Sequence, residues 1–232
     1  MLDIVANNQW KRPIYFTGGS FGDDDYLWMK DYLQLDGIVF KLVPVKTPVA
    51  KDASVLDMGK IDADKMYKIV KNWEWGNSGS PDIYHDPETR KNSLTYRTNL
   101  SRLIFALIEE GKNAQAAEVV DIAMKNMPFE YFGYYSLLDT YVEAYYKLGK
   151  RAEGRKLYEQ LAAKYQDQLQ YFQSLTASEQ MDLYYEVVAA IERYRSVLQL
   201  VKKYDEAAYY EKSKTTFNSW NGKFGRFQRD NE

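Results

Sequence analysis

The feature that most restricts what this chain can become is that part of it is written twice. A 38-residue offset (149 − 111) lays Gly149-Lys150 on Gly111-Lys112, and the register holds well beyond those two residues. Leu138 falls on Leu100, Val142 on Ile104, Ala144 on Ala106, Tyr145 on Leu107, Gly154 on Ala116, Tyr158 on Val120 and Leu161 on Ala123. Apolar positions meet apolar ones and small positions meet small ones. Such self-similarity arises when a supersecondary unit too small to bury its own apolar face stacks on a copy of itself.

The spacing inside each copy predicts a helix, a glycine turn and a second helix running back. Gly111 is followed by Ala116, Val120, Ala123 and Pro128, and the second copy offers Gly149, Gly154, Tyr158 and Leu161 without a closing proline. The glycine permits a tight reversal, and the small residue lets two antiparallel helices approach. This order resembles the tetratricopeptide repeat, whose period is about 34 residues. The additional residues are placed in the Phe129-Glu130-Tyr131-Phe132 connection. The expected fold class is mainly α: tetratricopeptide-like antiparallel helix pairs in an α-α superhelix, preceded by a small α/β segment.

Elements outside the repeats follow from local signals. Thr176-Ala177-Ser178-Glu179 is a capping box, and Met181, Tyr184, Val188, Ile191, Tyr194, Leu198 and Val201 continue at helical spacing, which predicts one long helix. A last helix is expected from Asp205 to about Trp220, then a polar, frayed tail. Near the start, Ile14-Tyr15-Phe16-Thr17 and Ile38 to Val43 read as strands, with helical spacing of Tyr26, Met29, Leu33 and Leu35 between them. Asp62 is expected to cap a helix bearing Met66, Ile69, Val70 and Trp73. The Ala6 to Phe16 segment is expected to turn a helix end into a strand, its asparagines supplying left-handed backbone. The resulting organisation is 1–60, an α/β segment with a linker over Lys46 to Lys60; 61–93, a helix and a Gly/Pro-rich loop; 94–220, helical repeats; and 221–232, the tail.

Composition narrows the function classes. With 45% hydrophobic and 28% charged residues the chain has the means to bury a core. Its 31 basic and 33 acidic residues are interleaved, so no positive field gathers phosphates and nucleic acid is not an expected partner. Cysteine is absent, which removes disulfides, thiolate metal sites and cysteine nucleophiles. The first residues lack the basic leader and apolar core of a signal peptide, and the longest apolar run is too short to span a bilayer. The chain opens directly into Ile4-Val5 and Trp10, as a domain cut from a larger protein would.

No residue set reads as catalytic, and neither a metal nor a cofactor is expected. His85, the single histidine, lies among turn residues and is expected on an exposed loop. Asp23-Asp24-Asp25 and Asp62 with Asp64 lack calcium-loop spacing, and Gly18-Gly19-Ser20-Phe21-Gly22 lacks the lysine of a phosphate loop. Ser20 and Ser78 have no nucleophile-elbow surroundings. The unusual feature is aromatic: 21 Tyr and 5 Trp, with neighbours at Tyr145-Tyr146, Tyr184-Tyr185 and Tyr209-Tyr210. In a helix array one ring of such a pair is expected inside and the other outside. A concave face carrying Arg97, Asn99, Arg102, Tyr135, Asp139 and Glu143 is the candidate binding surface for protein, peptide or glycan.

A family resemblance rests on the N-terminal motifs: Leu2-Asp3-Ile4-Val5-Ala6-Asn7-Asn8 with Trp10-Lys11-Arg12-Pro13-Ile14-Tyr15-Phe16, then Asp31-Tyr32-Leu33-Gln34-Leu35 before Lys41-Leu42-Val43-Pro44, then Trp75-Gly76-Asn77. These resemble the C-terminal part of bacterial multi-spanning membrane proteins related to protein O-mannosyltransferases. The resemblance implies a soluble, non-catalytic fragment on the periplasmic side of the inner membrane. It implies transfer chemistry in an upstream membrane part and makes that part a partner of this one. The rival expectation is a self-contained tetratricopeptide adaptor for a peptide, or a tyrosine-lined glycan surface.

Overall fold

The computed structural model describes residues 2–17, 28–47 and 58–227. The glycine-rich turn at 18–22, the Asp23-Asp24-Asp25 run, Tyr26, most of the expected linker and the last five residues lie outside the described residues. Within them the fold is mainly α with one small antiparallel sheet. The chain divides into two compact units, Met1–Tyr134 and Tyr135–Glu232, so a boundary falls inside the stretch expected as one repeat array.

In the first unit α1 (Leu2–Asn8) leads to β1 (Tyr15–Phe16). The chain reverses on left-handed Gln9 and Trp10, with φ of 49° and 57°, rather than on the asparagines. Asn8 instead donates its side-chain amide to the Arg12 carbonyl at 2.7 Å. Strands β2 (Leu33–Asp36) and β3 (Val39–Leu42) form a hairpin, and the sheet order is β1-β3-β2. The helix expected through Leu33 and Leu35 is therefore a strand. Two leucines two residues apart share one face of a strand, and both are fully buried. Lys60 pairs along the free edge of β2, so part of the expected linker belongs to the sheet.

Helix α2 (Ala63–Lys71) starts where its Asp62 cap accepts from the Lys65 amide at 3.0 Å. It buries Met66 and Val70, and its Lys65 binds the buried Asp36 of β2 at 2.7 Å. Helix α3 (Pro87–Glu109) begins earlier than the repeat phase implied, because Asp86 caps it and Pro87 fills its first position, where no amide partner is needed. Helix α4 (Asn113–Asn126) packs back on α3 through Ala116, Val119, Val120 and Ala123. The short α5 (Phe129–Phe132) occupies the place given to the additional residues of the period.

The second unit repeats this design. Helix α6 (Asp139–Lys147) is followed by α7 (Arg151–Ser174), and both α3/α4 and α6/α7 are joined by the same backbone device. Gly111 and Gly149 each adopt φ +73°. Gly111 and Lys112 donate to Ile108 and Leu107, while Gly149 and Lys150 donate to Tyr146 and Tyr145, the same pattern displaced by one period. That is the paired 5→2 and 6→1 closure of a helix end on a left-handed glycine. Gly154 serves as the small residue of its copy: a Cβ there would meet the Tyr146 ring at 3.4 Å and Tyr145 at 3.5 Å.

The long helix expected from the capping box is two helices, α8 (Ala177–Asp182) and α9 (Tyr184–Tyr204), broken at Leu183. The capping box itself is present at Thr176 and Glu179. Helix α10 (Ala207–Asn221) closes against α9, and Gly222–Phe227 forms a 3-10 turn that buries Phe224 and Phe227. The expected polar tail is thus anchored through its described part by two phenylalanines three residues apart. No helix among the described residues is long and apolar enough to cross a membrane.

Candidate functional site

The residues expected on a binding face have other work in the first unit. Arg97 is 1% exposed, and its guanidinium donates to the carbonyls of Gly133 and Met127, the latter at 3.0 Å. Asn99 donates to the Gly37 carbonyl in the β2–β3 turn at 3.0 Å. Arg102 donates to Met58 and Gly59 at 2.8 and 2.7 Å. These three side chains satisfy backbone carbonyls in turns and connections of the first unit, so they are engaged within the fold rather than offered on a ligand surface. Buried carbonyls must be satisfied, and a guanidinium satisfies several at once.

The other three expected residues lie together in the second unit on and before α6. The Tyr135 hydroxyl donates to Gln168 at 3.0 Å and its ring meets Tyr165 edge-on at 5.3 Å. Asp139 accepts from the Thr140 amide at 2.8 Å, and burial raises its pKa above the ordinary carboxylate range. Burial also works against the charge on Glu143. There the Tyr204 hydroxyl at 2.6 Å, with Lys147 and Lys203 nearby, prevails and lowers its pKa.

The tyrosines of this unit are structural for the same reason. Tyr145 and Tyr146 are both buried, which corrects the expectation of one ring in and one out, whereas Tyr185 is 82% exposed beside half-buried Tyr184. Tyr146 donates to Asp205 at 2.7 Å, Tyr209 to Glu159 at 2.9 Å, and Tyr194 accepts from Gln166 at 2.8 Å. Asp205, with its side chain fully buried, also receives Arg155 bidentately at 2.8 and 2.5 Å. Burial disfavours its charge, yet the Arg155 and Tyr146 hydrogen bonds outweigh that and hold its pKa down to about 2.

The first unit holds a different arrangement, a cleft of about 340 Å³ between the end of α2 and the start of α3. Trp73, Trp75 and Tyr96 form one aromatic cluster, with ring centroids 5.4–5.6 Å apart and edge-to-face or tilted. Trp73 is placed by the hairpin turn, where Gly37 has φ +72° and a Cβ would come within 2.7 Å of the indole. From α3 come Thr89, Asn92, Ser93 and Tyr96, at i, i+3, i+4 and i+7, hence on one helix face.

The third wall is the loop from Gly76 to Asp86, which is held from three sides. Gly76 and Asn77 turn the chain with φ of 53° and 60°. Ser78 donates to the Asn126 carbonyl at 2.7 Å, and Gly79 sits so close to Lys125 that a Cβ would be 2.1 Å from its carbonyl oxygen. His85 is 9% exposed, contrary to the expected exposed position: its Nε2 lies 2.8 Å from the Ser78 carbonyl and its ring 4.4 Å from Phe132. A carbonyl only accepts, so that nitrogen carries a hydrogen. Asp62 and Asp64, weighed as cation ligands, are a helix cap and an ion pair with Lys112 at 2.7 Å.

Two side chains at the cleft, Glu74 and Asn92, make no hydrogen bond or ion pair with a described residue, and both are exposed. A carboxylate and a carboxamide beside an aromatic cluster make a recognition surface with both hydrogen-bond donors and acceptors. The sequence carried a signal for it in the α3 stripe and in Trp75 of the Trp75-Gly76-Asn77 motif. The stripe is mostly polar, however, and does not register as an amphipathic core face.

Against known proteins, residues 1–65 match a family model described as TMEM260-associated domain 2. The match spans the sheet and ends at the first turn of α2, so of the residues lining the cleft it includes Ile38 alone. No curated protein and no solved structure matches the chain.

Proposed function

We propose that this chain is a non-catalytic accessory platform of a membrane-bound, glycosyltransferase-like protein, lying on the periplasmic side and presenting acceptor protein to the membrane part. The observation that carries the reading is the Trp73–Trp75–Tyr96 cleft with Glu74 and Asn92 at its rim. It offers shape and hydrogen bonds to a bound group while its histidine is engaged in holding the wall. The N-terminal likeness to a domain described by its association with TMEM260 supports an appended rather than self-sufficient role.

The test is a parent protein assayed with and without this segment. The expected result is at least tenfold slower transfer to folded acceptor, with lipid-linked donor bound as before. Sugar transfer by the isolated chain, or full transfer by the truncated parent, would contradict the reading.

A further inference from the structure

We infer that the cleft of the first unit binds a single hexopyranose unit, a ligand class that rests on reading the cleft as a recognition site. Its volume of about 340 Å³ stands at the lower end of ligand pockets, which span roughly 300–1,000 Å³, so the occupant is one small ring rather than an extended chain. A pyranose has two chemically different aspects. One face presents C–H bonds, which pack on the electron-rich faces of aromatic rings. The rim presents vicinal hydroxyls, each of which donates and accepts.

The cleft is complementary to both aspects. Trp73, Trp75 and Tyr96 supply the aromatic wall, Glu74 accepts, and Asn92 donates and accepts. Other occupants fit less well. A purely apolar side chain would strip water from Glu74 and Asn92 without replacing its hydrogen bonds. A quaternary ammonium needs ring faces converging around an open centre, whereas these rings touch one another at 5.4–5.6 Å and leave no interior among themselves. The loop wall needs no rearrangement to receive a ligand, being pinned at Ser78, Gly79 and His85. The sugar is carried by an acceptor or offered free, and the chemistry of recognition is the same for both.

The chain is titrated with a panel of methyl hexopyranosides, followed by tryptophan fluorescence, with choline and a proline-rich peptide run in parallel. The expected result is a saturable change with at least one glycoside, in the millimolar range of a single small contact surface. Binding should weaken about tenfold in Trp75→Ala, the loss of one good stacking partner. Asn92→Ala, at an exposed helix position, should weaken it comparably while leaving the melting curve unchanged, which guards against misreading a folding defect. No glycoside binding, binding unaffected by both variants, or saturation by choline or peptide without competition from sugar would each overturn the inference. The accessory role is judged separately by truncating the parent, so the two readings fail independently.

Discussion

The two units use aromatic residues in opposite ways. In the second unit the tyrosines packed between helices are dense but spoken for: Tyr146 with Asp205, Tyr204 with Glu143, Tyr209 with Glu159 and Tyr135 with Gln168. Tyr171 and Tyr185 lie exposed, away from any such cluster of polar partners among the described residues. In the first unit fewer rings gather at the cleft, yet the polar side chains beside them, Glu74 and Asn92, have no partner among the described residues. The difference teaches that aromatic abundance does not mark a recognition surface. A site is marked by rings whose neighbouring donors and acceptors are left for something else to satisfy. Tyrosine hydroxyls in a helix array are consumed closing gaps between helices, because a buried hydroxyl without a partner costs about 1–3 kcal/mol.

The sharpest way to break this comparison is at the clamp beneath the cleft. Arg97→Met removes a buried guanidinium and orphans the Met127 and Gly133 carbonyls. It should cost about 3 kcal/mol or more in chemical denaturation, as buried polar networks do. A loss below about 1 kcal/mol would return Arg97 to the candidate binding residues.

The second unit has its own test at Asp205. Removing this carboxylate with Asp205→Ala takes the bidentate partner from Arg155, which keeps Glu206 at 3.1 Å, leaves the Tyr146 hydroxyl without its acceptor, and should cost about 2 kcal/mol. Its folded pKa of about 2 lies below the unfolded value of about 3.9, so the contribution is full above pH 4 and is lost as pH falls toward 2. Wild type should therefore show a steeper acid limb of stability than the variant, measured by thermal melts between pH 2 and pH 6. Equal limbs would place the charge elsewhere.

Gly79→Ala tests the wall of the cleft. The added Cβ, 2.1 Å from the Lys125 carbonyl oxygen, forces the loop away from α4 at a cost of about 1–3 kcal/mol. Its diagnostic sign is altered tryptophan fluorescence, since Trp75 leads into that loop. The smallest effect is expected for Tyr209→Phe, which deletes one hydrogen bond to exposed Glu159 and should cost about 0.5–1 kcal/mol in denaturant melts.

Much of the fold was legible because its causes are local. The 38-residue offset located both glycine turns, and the hydrogen bonds around Gly111 and Gly149 are duplicates of each other. Asp62 and Thr176 announced their helices by capping. What failed depended on contacts distant in sequence. Leu33 and Leu35 fit either period until β3 supplies a partner. Arg97, Asn99 and Arg102 resemble a polar groove until the Met58–Gly59, Gly37 and Gly133 carbonyls appear beside them. His85 looked like a turn residue, and only Phe132 and the Ser78 carbonyl bury it. The cleft draws on the end of α2, a loop and the face of α3, so no single window of sequence contains it.

The central claim, that recognition belongs to the tryptophan cleft and not to the tyrosine-rich helices, is tested most directly by nuclear magnetic resonance of the indole N–H groups. With five tryptophans the indole signals are few enough to assign by substitution. Titration with the methyl hexopyranosides should move the Trp73 and Trp75 signals in a saturable way and leave Trp220 of α10 in place. Shifts confined to Trp220 and the second unit's tyrosines, with Trp73 and Trp75 unmoved, would contradict the account.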